Sequence, residues 1–364
     1  MSKLRIGVFG CGRGRSMVEV MSRHPDADLV AICDKWQKGL DECVEIADKL
    51  GTKVSTYNDF DSFLGHGLDA VVLANYATEH APYAIKCLDN NIHVISENVA
   101  VNSMEEAYKL LETAQKSKAL YSYAENACFT LAGREMRRLY QAGKIGELLH
   151  AEADYIHYMT YDERAAFTEN HNPKHWRNNI HSTFYCTHSA GPILRATNLI
   201  PKRVMGIEGP KIKSRFSDND NNGNFGAMII CELSNGAIMK IAPSCHYPRK
   251  PINWYVLYGT LGSIESDRFG EGYDKVHTSL NEGQDYSYYK PEFDDMELAK
   301  KITTHGGGDF WTMHYFLEAI LGKDTNHEMI GIYEALDMTV IGILAQESIK
   351  KNGLAIDMPD FRNL

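Results

Sequence analysis

No stretch of the chain stays apolar for the roughly 18 residues that a membrane-spanning helix needs, so none is expected. Positive charge is scarce: 38 Lys and Arg stand against 48 Asp and Glu, a formal charge of −10. Such a chain lacks the basic field that grips a phosphate backbone, which argues against nucleic acid as a partner. The eight cysteines (Cys11, Cys33, Cys43, Cys87, Cys128, Cys186, Cys231 and Cys245) include no C-x-x-C pair. Several lie in apolar runs and read as buried thiols in a reducing compartment. Met1-Ser2-Lys3-Leu4-Arg5 leads straight into a strand-like run with no apolar signal-peptide core. Internal repeats and low-complexity tracts are also missing. Together these absences point to a soluble, cytoplasmic protein with no membrane or nucleic-acid partner. What is present is an ordinary globular composition, 44% apolar and 24% charged, over 364 residues. That length suits about two domains, each able to bury a core.

The first 125 residues alternate strand and helix. Leu4 to Phe9 is a β-rich run closed by glycines, a helical stretch reaches Ser22, and Ala27 to Cys33 is a second strand. Residues 39–50 read as a helix. Asp69 to Ala74 is a continuous apolar run, as in a strand buried on both faces of a parallel sheet. A helix at His80–Asn90, a strand at Asn91–Ser96, a helix at 103–118 and a strand at Lys118–Tyr123 follow. The 103–118 helix places Met104, Ala107, Leu110, Leu111 and Ala114 on one face. Strands separated by helices of this length predict βαβ units and a doubly wound parallel sheet. Beyond residue 126 the texture changes. A helix at 131–142 precedes longer strands at 149–160, 203–214, 225–233, 236–246 and 253–259, with turns at Asn235-Gly236 and Gly259–Gly262. Asp218 to Gly223 is a polar loop, and helices at about 309–321 and 328–351 close the chain. The expected fold class is α/β: a Rossmann domain over 1–125, then an α+β domain over 126–364 with an open, mainly antiparallel sheet.

Gly10-Cys11-Gly12-Arg13-Gly14-Arg15 follows the first strand and opens the first helix. Small residues there let the backbone approach a pyrophosphate, whose charge a helix N-terminus favours. The spacing departs from G-x-G-x-x-G, since the third glycine stands at 14 and position 15 is Arg. A carboxylate ends the second strand: Asp34 lies 22 residues beyond Gly12. It can accept from adenosine ribose hydroxyls and repel a 2′-phosphate, which favours NAD over NADP, although Lys35 beside it leaves that preference open. The alternative is a structural glycine turn and a surface Asp. Polar residues also follow three apolar runs on the same sheet edge: Asn75, Thr78 and His80 after the 69–74 run, Glu97 and Asn98 after 91–96, and Asn126 after 118–123. They suit a nicotinamide ribose, and each could equally be a helix N-cap or turn residue.

With Arg5-Ile6-Gly7-Val8-Phe9-Gly10-Cys11-Gly12, His93-Val94-Ile95-Ser96-Glu97, Gly143-Lys144-Ile145-Gly146-Glu147 and Ile356-Asp357-Met358-Pro359-Asp360-Phe361, nearly the whole chain resembles the Gfo/Idh/MocA oxidoreductase family. That family carries Glu-Lys-Pro where this chain has Glu97-Asn98-Val99, so the lysine that helps deprotonate a sugar hydroxyl is absent. Its Asp-x-Gly-x-His motif appears here as Phe184-Tyr185-Cys186-Thr187-His188: the His stays and the Asp is replaced. Tyr185-Cys186-Thr187-His188-Ser189-Ala190-Gly191-Pro192 is similar to the Tyr-Pro-Thr-His-Gly-x-Gly-Pro segment of glycoside hydrolase family 109. His175-Trp176-Arg177 and Thr304-His305-Gly306-Gly307-Gly308-Asp309-Phe310 also resemble that branch. The resemblance implies bound NAD, and a cycle of oxidation at C3, elimination of the aglycone, addition of water and reduction.

Removing a hydride from a secondary alcohol needs a base for the hydroxyl proton. Without the lysine the candidates are His188, whose ordinary pKa suits the task, and Tyr185, which can instead position the sugar or take a C2 proton. His188 could also be a core histidine. A C3 ketone acidifies the C2 hydrogen, so a leaving group at C1 becomes labile. Six histidines crowd 150–190 (His150, His157, His171, His175, His181, His188), but Asn172-Pro173 breaks the helical spacing of His171 and His175, so no metal is expected. A polar sugar-binding wall explains them better. Among the nearby aromatics, Tyr158 and Trp176 are candidates to stack on a pyranose or its aglycone, while sheet packing or a subunit interface is the plainer reading. Arg177, Thr187 and His305 are candidate donors to sugar hydroxyls.

The leading expectation is therefore an NAD-dependent dehydrogenase acting on a sugar or glycoside hydroxyl, at C3. The alternatives are an NAD-retaining glycoside hydrolase and a catalytically inactive NAD-binding regulator. An uncovered apolar sheet face in the second domain would also predict a homo-oligomer.

Overall fold

The computed structural model describes residues 3–210, 226–244, 247, 249–270 and 272–364. The 218–223 loop and Cys245 lie outside them. The remaining seven cysteines are free and buried.

The chain opens with β1 (Leu4–Phe9), α1 (Gly14–Arg23), β2 (Ala27–Cys33), α2 (Gln37–Lys49), β3 (Ser55–Tyr57), α3 (Phe60–Leu64), β4 (Ala70–Leu73), α4 (His80–Asp89), β5 (His93–Ser96), α5 (Met104–Lys116) and β6 (Tyr121–Tyr123). The strands form one six-stranded sheet, ordered β3-β2-β1-β4-β5-β6 and parallel at every pairing. All four residues of β4 are buried, which is why that run reads as unbroken hydrophobic sequence. Ser103 caps α5 by accepting from the Glu106 N–H at 3.1 Å, while Glu106 reaches back to the Asn102 N–H at 2.7 Å. Strand order reverses between β1 and β4, and ligands of open α/β sheets bind outside the carboxyl ends of the strands at such a switch point.

Next come α6 (Leu131–Gln141), β7 (Leu148–Ile156), α7 (Tyr161–Phe167), α8 (Thr187–Thr197), β8 (Pro201–Glu208), β9 (Ala227–Leu233), β10 (Ile238–Ser244), β11 (Ile252–Gly259), β12 (Ser263–Ser266), β13 (Val276–Leu280) and β14 (Asp285–Tyr289). The chain closes with α9 (Glu297–Lys301), α10 (Gly308–Ile320), α11 (Ile332–Lys350) and β15 (Ile356–Asp357). A nine-stranded sheet runs β14-β13-β12-β11-β7-β10-β9-β8-β15. Its pairings are antiparallel except β7 with β10. The mainly antiparallel sheet expected from the sequence is thus present, with one parallel pair at its centre. The strand expected over 149–160 stops at Ile156, and a helix not expected from the sequence follows, started by a Thr160–Glu163 capping box.

Two compact units divide the chain: residues 1–126 with 294–336, and residues 127–293 with 337–364. The segment 294–336, grouped with the C-terminal domain in the sequence reading, thus falls with the first unit. In the second unit, α8 lies along β7, β10 and β11. Cys186 and Thr183 bond to carbonyls of α11, and Ser348 of α11 accepts from the Gly206 N–H at 3.0 Å. The opposite face leaves Met205, Ile207, Met228, Ile230 and Ile238 exposed. Among the described residues no helix is long and apolar enough to cross a membrane.

Candidate active site

In the first unit the predicted cofactor residues gather at the carboxyl ends of β1, β2, β4, β5 and β6. Gly10 leaves β1 with φ +102°, and a Cβ there would lie 2.4 Å from the Ala74 carbonyl. Only glycine lets the chain turn so close to the end of β4. At Gly12 a Cβ would meet nothing within 4 Å, so the turn is open at its middle. α1 then starts at Gly14, and its first N–H groups lack intrahelical partners, which favours an anion there. Asp34 ties this turn to β2: one carboxylate oxygen accepts from the Cys11 N–H at 2.5 Å, the other from the Trp36 N–H at 2.8 Å.

Farther along the edge, several buried polar atoms have no hydrogen-bond partner among the described residues: Asn75 Oδ1, His80 Nε2 and both side-chain amide atoms of Asn98. An unsatisfied buried polar atom costs about 1–3 kcal/mol, and a polar ligand would relieve it. His80 opens α4, and its Nδ1 lies 2.9 Å from the Val99 carbonyl oxygen. A carbonyl only accepts, so Nδ1 carries the proton in that bond. Burial pushes this imidazole down to about 4, keeping it neutral at physiological pH. Thr78 sits half-buried in the short turn before α4. Open turn, helix terminus, acidic residue on β2 and orphaned polar atoms together fit a dinucleotide laid across the strand ends.

Arg13 behaves differently from the other glycine-turn residues. Its Nη2 lies 2.9 Å from Glu97 Oε1 and 2.5 Å from Asp309 Oδ1, its Nη1 is 3.1 Å from Asp309 Oδ2, and Ser16 Oγ also accepts from it. The guanidinium is thus committed to two carboxylates, which leaves the Arg13 backbone as its contribution to the turn. Burial works against its charge, but Glu97 and Asp309 outweigh it and hold it above the usual arginine range. Asp309, in the first turn of α10, is fully buried. It also accepts from Asn126 Nδ2 at 2.9 Å and pairs with His305 Nδ1 at 2.9 Å. Burial opposes its ionisation too, yet Arg13 and His305 keep its carboxyl well below the ordinary range. Asp309 was not singled out from the sequence. Its signals in the sequence are its place directly after Gly306-Gly307-Gly308 and within the Thr304–Phe310 segment that resembles glycoside hydrolase family 109.

The second unit gathers most of the substrate-side candidates. His188 is the second residue of α8. Its ring lies parallel to that of Tyr185 (centroids 6.1 Å, 7° between planes) and 4.6 Å from that of Tyr155 on β7. Tyr255 on β11 donates to the His188 carbonyl at 2.7 Å, fixing the start of the helix. Arg177 Nη1 donates to Tyr185 Oη at 2.9 Å, and its guanidinium lies 4.5 Å from the Trp176 ring centroid. Thr187 and Ser189, either side of His188, are buried with side-chain hydroxyl oxygens that have no partner. Tyr158 lies half-buried just past the end of β7. His305 is not part of this group, since it belongs to the first unit. Tyr155 is half-buried on β7 and Tyr255 lies in the buried run of β11, and nothing local in the sequence marks their relation to His188. Among the described residues no cluster of His, Cys, Asp or Glu could hold a metal ion. A flat aromatic wall, a guanidinium, two buried hydroxyls and an imidazole suit a polyhydroxylated ring.

Known proteins resemble the chain in both parts. Residues 4–125 match the Gfo/Idh/MocA oxidoreductase family, described as an NAD-binding Rossmann fold, and residues 227–363 match the glycosyl hydrolase 109 C-terminal domain. An alpha-N-acetylgalactosaminidase of Shewanella oneidensis is 26% identical over 99% of this chain and 85% of its own length. A glycosyl hydrolase family 109 protein of Shewanella baltica is 25% identical with the same coverage. Among solved structures, levoglucosan dehydrogenase in complex with NADH and L-sorbose has a TM-score of 0.80 at 16% identity, covering 99% of this chain and 100% of that one. The WlbA dehydrogenase of Bordetella pertussis, in complex with NADH and UDP-GlcNAcA, scores 0.75 at 16% identity, with 98% of each chain covered. The chain thus carries, in order, a segment that matches the NAD-binding Rossmann fold of the Gfo/Idh/MocA oxidoreductases and a segment that matches the glycosyl hydrolase 109 C-terminal domain.

Proposed function

We propose that this protein is a glycoside hydrolase that retains NAD and works by oxidation, elimination, hydration and reduction. The observation that carries this reading is the likeness, along 99% of the chain, to a relative named as an alpha-N-acetylgalactosaminidase. It reverses the order of the two enzyme readings drawn from the sequence, where net oxidation stood first. When bound, NAD supplies reversible oxidation of a secondary hydroxyl, here at C3 of the sugar.

The chain's own residues divide the remaining work. The Gly10, Gly12 and Gly14 turn and the start of α1 receive the pyrophosphate, and Asp34 receives the adenosine ribose. Asn75, Thr78, His80, Glu97, Asn98 and Asn126 serve the nicotinamide end. Asn98 stands where the resembling family has its lysine, and a neutral amide cannot take a proton, so the base lies elsewhere. His188 takes the C3 hydroxyl proton. Tyr185 takes the C2 proton as its phenolate, which the Arg177 guanidinium on its oxygen favours before the transfer. Trp176 and Tyr158 stack against the sugar or its aglycone, Thr187 donates to its hydroxyls, and His305 has one ring nitrogen, Nε2, left to donate to the glycoside. The exposed apolar face of the nine-stranded sheet serves self-association into a homo-oligomer.

One assay tests the reading. Purified protein is mixed with NAD and a panel of nitrophenyl glycosides, beginning with the α-N-acetylgalactosaminide. Released nitrophenol and absorbance at 340 nm are followed together. Aglycone release without accumulating NADH is expected. Stoichiometric NADH would make the chain a dehydrogenase, and NAD binding without turnover on any glycoside would make it an inactive binder.

A further inference from the structure

The pair His305 and Asp309 has the form of an acid–base dyad. Asp309 is fully buried, while the His305 side chain is 47% exposed. Their bond uses His305 Nδ1, so the carboxylate fixes the ring and leaves Nε2 to the exposed side. The backbone is arranged for this. His305 has φ +50°, left-handed for a residue with a Cβ, followed by Gly306 at +62° and Gly307 at +86°. A non-glycine residue is seldom held there, and such outliers are kept where surrounding contacts enforce them. Here the enforcing contacts are Asp309 and the close approach of Gly308 to Asn126, where a Cβ would lie 2.1 Å from the carbonyl oxygen. The location is equally specific. Through Asp309 the imidazole joins Arg13 of the glycine turn, Asn126 after β6 and, by way of Arg13, Glu97 after β5. All of these lie at the carboxyl ends of the parallel strands.

We propose that His305 is the acid that protonates the departing glycosidic oxygen and the base that then activates water, with Asp309 as its positioning residue. This deepens the glycosidase reading and rests on it. Once C3 is a ketone, the base of that reading removes the C2 proton and the C1–C2 double bond forms. The C1–O bond breaks, its electron pair goes to the aglycone oxygen, and that oxygen takes the proton from His305 Nε2. In the return step water bonds to C1 through its oxygen, gives one proton to His305 Nε2, and C2 regains the proton it lost. His305 ends as it began, and the sum is glycoside plus water giving sugar plus alcohol.

The experiment compares the full-length protein with His305→Ala and His305→Gln on two glycosides of the same sugar, one with a nitrophenyl and one with a methyl aglycone. Nitrophenolate leaves without a proton, whereas methanol does not. In a single turnover, where aglycone release precedes the addition of water, both variants are expected to lose at least about a hundredfold on the methyl glycoside and less than tenfold on the nitrophenyl one. Added imidazole should restore part of the lost rate to His305→Ala. Asp309→Asn should show the same split in weaker form. NAD bound per chain, measured by releasing and quantifying it, should match the parent in both His305 variants. Equal losses on both glycosides without rescue by imidazole, or loss of bound NAD, would overturn the role. If the parent protein releases neither aglycone but accumulates NADH, the glycosidase reading itself fails and this role falls with it.

Discussion

Arg13 and Asp309 stand 296 residues apart in the chain and are joined by two hydrogen bonds, at 2.5 and 3.1 Å. Asp309 has no solvent contact, so removing the arginine leaves a buried carboxylate short of its counter-charge. Breaking such a pair from one side typically costs about 3–5 kcal/mol. Arg13→Met is expected near the lower end, about 3 kcal/mol by urea unfolding, because its side chain is partly exposed. Any weakening of NAD binding should be small, since methionine keeps the backbone that Arg13 gives to the glycine turn. The double variant Arg13→Met/Asp309→Leu should recover part of the lost stability. If the double variant is as unstable as the sum of the singles, the two residues are not coupled.

Acid should destabilise the protein in two stages. His24, His80 and His181 are each pushed down to about 4, chiefly by burial. The unfolded chain binds their protons from about pH 6.5 downward while the folded chain does not, so stability falls between pH 6.5 and about 4. The Asp309 carboxyl moves the other way: its contribution is intact above the ordinary carboxylate range and is lost only as pH drops through its depressed value. Melting temperature measured from pH 8 to 3 should therefore decline first across the histidine window. His181→Gln should flatten that decline by up to about 3 kcal/mol. An unchanged slope in this variant would mean that His181 does not resist protonation in the fold.

How far the sequence discloses this molecule depends on the range of the interaction. The parallel sheet is legible because buried strands such as Ala70–Leu73 are continuously apolar and their helices carry one apolar face. The glycine turn and Asp34 are legible because their relation is local to one βαβ unit. β3 escapes because Ser55–Tyr57 is three residues long and mostly exposed, and β14 because Asp285–Tyr289 is polar and solvent-facing. The Arg13–Asp309–His305 network escapes for another reason. No pattern in a linear sequence pairs a turn arginine with an acid near the other end of the chain. Arg13 in a phosphate-binding turn reads naturally as a ligand contact, whereas the structure commits its guanidinium to Glu97 and Asp309.

In the second unit, His188 and Tyr185 lie with their rings parallel, and the Tyr185 oxygen already accepts from Arg177. Their assigned tasks differ, so their variants should differ. His188→Ala should lower turnover by about 10²–10⁴-fold while leaving bound NAD unchanged. Tyr185→Phe should abolish exchange of the sugar C2 hydrogen with deuterated solvent, because that proton then has no acceptor. If Tyr185→Phe exchanges C2 hydrogen at the parent rate, Tyr185 only positions the sugar, and another group takes that proton.

The nine-stranded sheet supports the last expectation. Across β8, β9 and β10 the inward residues Val204, Gly206, Ile229, Cys231 and Ile241 alternate with outward Met205, Ile207, Ile230 and Ile238. Register brings the outward set together: Met205 pairs with Ile230 and Ile207 with Met228. Ile207 is 67% exposed and Ile238 48%; Met205, Ile207, Met228 and Ile230 form an apolar patch on β8 and β9, edged by Lys240 and by the Arg203–Glu232 pair, with Ile238 beyond Glu232. Contiguous apolar area of this kind is rare on monomers and marks association sites. A second copy of the chain is the occupant we expect, as a closed symmetric assembly. Light scattering on the purified protein should give a mass that is a multiple of the chain mass. Ile207→Asp with Met228→Asp should reduce it to one chain, because the two residues pair across β8 and β9 and two opposed carboxylates are costly to bury. A parent protein that is monomeric at micromolar concentration would rule this surface out as a self-association face.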